Sequence, residues 1–179
     1  RVLNMYQNFP FWSTLLVECG FNVHLSDVST HELYQQGVDT VMSENICFPA
    51  KLAHGRIYNL IEAGVDRIFY PRVTYEQDEF SGTDNCYNCP IVTGYPEVIR
   101  SAIDPAGRHQ IPLDIPAISF ADDGLLKKAC RKYLKTLGVN NKTFNRAFEQ
   151  ALKAQKAYCF EVTARGEEII NRAQAQNRP

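Results

Sequence analysis

The chain has 179 residues, 45% hydrophobic and 22% charged, with 10 Gly and 9 Pro, a composition that excludes the disordered, collagenous and membrane-spanning classes. A domain of this length buries roughly 70% of its unfolded surface and needs neither disulfide nor metal for stability, so its cysteines have no obvious structural reason. The net charge of -1 hides a division: residues 1–126 carry 7 Lys and Arg against 16 Asp and Glu, a balance of -9, and residues 127–179 carry 12 against 4, a balance of +8.

One half could lie on the other. A basic tail that binds nucleic acid calls for aromatic or glycine interleaving on an exposed face, whereas these cations fall at helical spacing among apolar residues, the pattern of a solvated face. No nucleic-acid partner is expected. The longest uncharged apolar stretch, residues 9–17, is far short of the roughly 20 residues that span a bilayer, and no signal peptide opens the sequence. No membrane partner and a cytoplasmic location are expected. The sequence begins at Arg1 without methionine, which points to a piece of a longer protein.

In chain order, residues 2–6 read as a short strand and residues 10–19 as a helix stopped by Gly20. Residues 21–25 alternate as a second strand. Ser29 with Glu32 three positions on has the form of a capping box opening a helix. Residues 51–62 form a third helix, with Leu52, Ile57, Leu60 and Ile61 on one face and Gly64 as its stop, and residues 67–70 are a third strand. Residues 74–88 make the longest loop, polar and acidic through Glu76, Asp78, Glu79 and Asp84, at the carboxyl end of a strand, where ligands bind in open α/β sheets. A helix over 96–102 and a fourth strand within 111–120 follow. The rhythm favours an α/β fold with a Rossmann-like parallel sheet of about four strands over residues 1–121. Residues 122–179 read as a helical extension packing on it: one helix ended by Gly138, then a long one capped by Asn140 or Asn141.

Cys19, Cys130 and Cys159 fall inside helices among apolar neighbours and read as packing residues. Cys47 and Cys89 differ. Each stands just before a proline, in Cys47-Phe48-Pro49 and Cys89-Pro90, and proline suits a first helical turn. Both thiols then sit at helix amino termini, where free N–H groups and the helix dipole favour a thiolate. The alternative is that they merely cap helices. Cys86 makes a C-x-x-C with Cys89, a weak metal signal without a second pair, and His24, His54 and Cys47 are its candidate companions. His54 reads as a hydrogen-bonded helix residue, and Lys51 as a cation near Cys47 or a solvated side chain. Asp66, Glu97 and Asp114 show no carboxylate pairing, residues 93–97 read as a turn, and no G-x-S-x-G, G-x-G-x-x-G or phosphate-loop motif is present.

Leu3-Asn4-Met5-Tyr6 with Asn8-Phe9-Pro10-Phe11-Trp12, then Ser43-Glu44-Asn45-Ile46-Cys47 before Pro49-Ala50-Lys51-Leu52, then Tyr87-Asn88-Cys89-Pro90-Ile91-Val92 with Tyr95-Pro96-Glu97-Val98-Ile99, resemble the uncharacterised domain of large CoA-substrate-specific enzyme activases. The resemblance covers about residues 1–120. It implies a place in the 2-hydroxyglutaryl-CoA dehydratase system, where an activase hydrolyses ATP to drive a low-potential electron from an iron–sulfur cluster into the dehydratase's cluster. It further implies that Cys47 and Cys89 ligate a [4Fe–4S] or related cluster. The motif begins at Tyr87, so Cys86 is a doubtful ligand. A cubane takes four ligands, so the others are expected from elsewhere in the parent protein, and ATP only in its other modules. The expected partners are ATPase and dehydratase-like modules of the same protein and an acyl-CoA dehydratase. The chain alone is expected to lack catalysis and, purified in air, to hold no cluster. The rival readings are a non-catalytic scaffold and a zinc site built from Cys86, Cys89, Cys47 and a histidine.

Overall fold

Helix starts are written into this sequence as prolines and capping side chains, and the computed structural model, which describes residues 2–78, 82 and 85–178, follows most of them. Helix α1 (Phe9–Glu18) takes Pro10 into its first turn, and α3 (Phe48–Glu62) does the same with Pro49. Helix α2 (His31–Gly37) is capped by Thr30, whose hydroxyl accepts from the Leu33 amide at 3.2 Å. The cap expected at Ser29 is thus one residue late. The Ser29 hydroxyl is engaged instead by the Arg56 guanidinium at 2.6 Å.

Strands β1 (Ile68–Phe69), β2 (Arg72–Tyr75), β3 (Leu113–Asp114) and β4 (Ala117–Ser119) form two small parallel sheets, β1 with β3 and β2 with β4. Ile68 lies opposite Leu113, and Val73 opposite Ile118. The same two chain segments run side by side through both sheets. Ile68, Tyr70 and Arg72 donate to the carbonyls of Pro112, Asp114 and Pro116 at 2.9, 2.9 and 3.0 Å. Between the parallel strands lie α4 (Pro90–Ala102) and α5 (Pro105–His109), which form the crossover that parallel pairing requires.

Two expected strands are absent. Residues 2–6 instead contain a 3-10 turn at Leu3–Met5, with Leu3 at φ +52, and the Asn4 amide is drawn to the Glu76 carboxylate at 3.1 Å. Residues 21–25 form no strand. The fold is mixed helix and sheet, with its described strands confined to residues 68–119. The helix expected over 96–102 begins six residues earlier, so residues 93–97 are helical rather than a turn and Pro96 sits inside α4.

The chain divides into two units, Arg1–Tyr6 with His24–Val139, and Gln7–Val23 with Asn140–Pro179. In the first, Ala50, Ala53 and Ile57 of α3 and Tyr95 and Ile99 of α4 close with Ile68, Tyr70 and Ile103 into one apolar core. Helices α2 and α3 touch backbone to backbone: a Cβ on Gly37 would strike Gly55 and His54, and one on Gly55 would strike the Leu33 carbonyl. Helix α6 (Asp123–Thr136) buries Leu126, Cys130 and Leu134, and Tyr133 stacks on Phe69 with centroids 5.4 Å apart. The Tyr133 hydroxyl donates to Asp114 at 2.7 Å, and Arg67 holds the same carboxylate at 2.8 and 3.0 Å.

In the second unit, α1 packs Phe11, Trp12 and Leu15 on the first half of α7 (Asn141–Ala175), where Phe144, Ala147, Phe148 and Ala151 are buried. Phe11 meets Phe148 edge-on at 5.8 Å. Asn140 caps α7 by accepting from the Thr143 amide at 2.9 Å, as one of the two expected caps. Gln155 turns inward, its carbonyl taking the Phe11 amide proton at 3.2 Å and its amide donating to Gln7 O at 2.9 Å. No helix among the described residues is long and apolar enough to cross a membrane.

Candidate functional site

Cys47 and Cys89 both occupy the N-cap position of a helix in the first unit, of α3 and α4 respectively, Cys47 in an extended conformation and Cys89 at φ -50, ψ 135 directly ahead of Pro90. Helix placement is therefore as the sequence predicts. Both thiols are exposed, and neither side chain makes a capping bond. Their backbones cap instead: the Cys47 carbonyl accepts from the Ala50 and Lys51 amides at 3.0 and 3.3 Å, and that of Cys89 from Thr93 at 3.1 Å. Lys51 reaches back to the Glu44 carbonyl at 2.8 Å and so fastens the loop ahead of Cys47.

Beneath Cys47 lies a buried polar chain. The Thr40 hydroxyl donates its one proton to Gly37 O at 2.9 Å, so its oxygen accepts at 2.8 Å from His54 Nδ1. That fixes the imidazole tautomer and leaves Nε2 to accept from the Tyr95 hydroxyl at 3.0 Å. His54 is 0% and Tyr95 2% exposed. Burial pulls the His54 pKa down to about 4, so the ring is neutral, as this bonding requires. Burial first, and then the charge that Cys47 carries as a thiolate, push the Tyr95 hydroxyl up to about 12. His54 is thus the hydrogen-bonded helix residue expected from its position.

The approach to Cys89 is set by the loop ahead of it. The loop after β2 closes at a neck where the Glu76 amide donates to Cys86 O and the Asn88 amide to Thr74 O, each at 2.9 Å. Tyr75 and Tyr87 face one another across that neck at 4.1 Å. The Asn88 side chain donates to Val73 O at 3.1 Å and to Glu76 at 2.7 Å, and Thr93 of α4 donates to Val73 O at 3.1 Å. These bonds set the exit angle of the chain into Cys89. Of the acidic loop, Glu76 is spent on the neck, Asp78 is exposed, and Glu79 and Asp84 lie outside the described residues.

The other candidates are dispersed. His24 and Asp66 are exposed, Asp114 pairs with Arg67, and Glu97 with Arg72 and Arg100. Cys86 is half-buried at the loop neck. Among the described residues, no three of His, Cys, Asp and Glu gather as a metal site would need. The rival zinc set of Cys86, Cys89, Cys47 and a histidine is thus not assembled among the described residues, and Cys47 and Cys89 by themselves are too few ligands for a zinc ion or a cubane. Tyr95, Asn88 and Asn4 were present in the sequence motifs without an assigned task. Thr40 carried no signal, since only the close crossing of α2 and α3 delivers it to His54.

The family model of the CoA enzyme activase uncharacterised domain matches residues 1–179, the whole chain. No curated protein and no solved structure matches.

Proposed function

This chain belongs to the family of the CoA enzyme activase uncharacterised domain, and from that premise we propose that it is an iron–sulfur-associated electron-transfer domain of an ATP-dependent CoA-substrate-specific enzyme activase or 2-hydroxyacyl-CoA dehydratase-like protein. The observation that carries the reading is the paired placement of Cys47 and Cys89. Each is an exposed thiol at the mouth of a helix, and the two helices are joined by the His54–Tyr95 bond.

In this reading Cys47 and Cys89 supply two thiolate ligands, and the remainder come from other modules of the same protein. A [4Fe–4S] or related cluster held there would supply one-electron chemistry at low potential. The chain's own residues do the positioning. The first turns of α3 and α4 would present their N–H groups and the positive end of each helix dipole to metal-bound sulfur. The buried His54–Tyr95 pair fixes the relative setting of the two helices, and the Asn88–Glu76 neck fixes the approach to Cys89. Cys86 stays a doubtful ligand. ATP belongs to other modules of the same protein, an acyl-CoA dehydratase is the partner, and the wider fold class is a Rossmann-like one in which the β1–β3 and β2–β4 pairs are the parallel sheet.

The deciding experiment is anaerobic production of the full-length parent, with iron and sulfide analysis and EPR on wild type, Cys47→Ser and Cys89→Ser. Each substitution is expected to lower iron content and to change or abolish the cluster signal. Unchanged iron in both variants overturns the ligand assignment and leaves the scaffold reading.

A further inference from the structure

Helix α7 carries one apolar stripe along its whole length, and α1 packs on only the first half of it. Phe144, Phe148, Ala151 and Gln155 are buried in the second unit. Continuing at spacings of three and four, the same face presents Tyr158, Val162, Gly166, Ile169 and Ala173, and here Tyr158, Val162 and Ile169 are 39, 51 and 62% exposed. A stripe of this period that outlasts its covering helix is the seam of a helix pair.

The charges beside the stripe say what the second helix is. Glu161, Arg165, Glu168 and Arg172 line one flank at intervals of four, three and four residues. Read from either end, the intervals are the same and the signs are exchanged. We propose that the second half of α7 pairs antiparallel with the same half of a second copy of this chain, about a two-fold axis between residues 166 and 167. That axis sets Glu161 opposite Arg172 of the second copy and Arg165 opposite its Glu168, and symmetry repeats both pairs. Gly166 falls at the crossing, where nothing lies within 4 Å of the position a Cβ would take, so two backbones can approach closely. Val162 lies at the level of Ile169 and Ala173 of the second copy. Within one chain Glu168 already draws Arg165 and Arg172 to 3.5 and 3.1 Å, while Glu161 has no ion pair among the described residues. A parallel pair would turn this charged flank toward Cys159, Thr163 and Ile170 and leave it without counterparts.

Sedimentation equilibrium of the 179-residue chain across a wide concentration range tests this. The expected result is a reversible rise to twice the monomer mass. The Arg165→Glu/Arg172→Glu variant makes the flank wholly acidic and the Glu161→Arg/Glu168→Arg variant makes it wholly basic. Each should self-associate at least about tenfold more weakly than wild type, and an equimolar mixture of the two should restore the dimer. Ile169→Ser, which leaves every charge in place and removes an apolar contact, should weaken association as well. A wild type that stays monomeric, charge variants that dimerise as wild type does, or a mixture that fails to dimerise would each overturn the proposal.

Discussion

His54 Nε2 lies 3.0 Å from the Tyr95 hydroxyl, and this one bond ties the helix that starts at Cys47 to the helix that starts at Cys89. Because the imidazole is buried and its other nitrogen is committed to Thr40, Tyr95→Phe strands an acceptor that water cannot reach. The expected loss is about 1–3 kcal/mol in urea unfolding. Replacing both partners, as in His54→Leu/Tyr95→Phe, should cost less than the sum of the two single changes, because no orphaned group remains.

The same histidine makes stability depend on acid. Its folded pKa of about 4 lies below the ordinary 6.5, so between these values the unfolded chain takes up a proton that the folded chain refuses. Stability from this group is full above pH 6.5 and is lost as the pH falls toward 4, by at most about 3 kcal/mol. Urea midpoints compared at about pH 7 and about pH 5 should fall for wild type and change distinctly less for His54→Gln.

Helix crossing offers a steric test with its own control. Gly37→Ala and Gly55→Ala each force a Cβ into the facing backbone, so each should lower stability by more than about 2 kcal/mol. Gly94, inside α4, has open space around it, and Gly94→Ala should stabilise by about 0.5–1 kcal/mol. Thermal melts of the three variants check both signs.

Asn88→Ala should open the neck that aims Cys89. The side chain bridges Val73 O and Glu76, and its loss removes two bonds while leaving the thiol untouched. Amide exchange at Glu76 and Asn88 should quicken by about tenfold or more, and exchange in α3 should stay as in wild type.

Gln155→Leu should unravel the start of α1. The glutamine donates to Gln7 O through its amide and accepts from the Phe11 amide through its carbonyl, so the substitution removes both bonds and is expected to cost about 1–3 kcal/mol. Exchange at the Phe11 amide reports the local effect, and a urea midpoint the global one.

Helices were legible in the sequence because their signals are local. Pro49 and Pro90 open α3 and α4, Gly138 at φ +83 follows α6, and Asn140 caps α7. Strands were legible only in part: those expected at 67–70 and within 111–120 are present as β1 and as β3 and β4, but a strand exists only if a distant segment supplies its ladder. Residues 21–25 alternate and residues 2–6 read as a short strand, yet neither forms one, while Pro71 and Pro116 divide the real pairing into pieces of two to four residues. Pro96 marked a helix start in the sequence but stands inside α4, whose first turn already holds Pro90. At the candidate site the cysteines announced themselves through their prolines. The Thr40–His54–Tyr95 chain did not, since it joins three elements whose meeting depends on two glycines giving up their side-chain volume.

Gln155 stands 144 residues after its partner Phe11, and that separation matters while the chain is being made. Helix α1 leaves the ribosome well before the helix that covers Phe11, Trp12 and Leu15. At roughly 5–20 residues per second, this apolar face waits several seconds for its cover while the intervening segment is made. A nascent chain halted short of α7 therefore displays the uncovered apolar face of α1, and slowing translation there should raise its demand for chaperones.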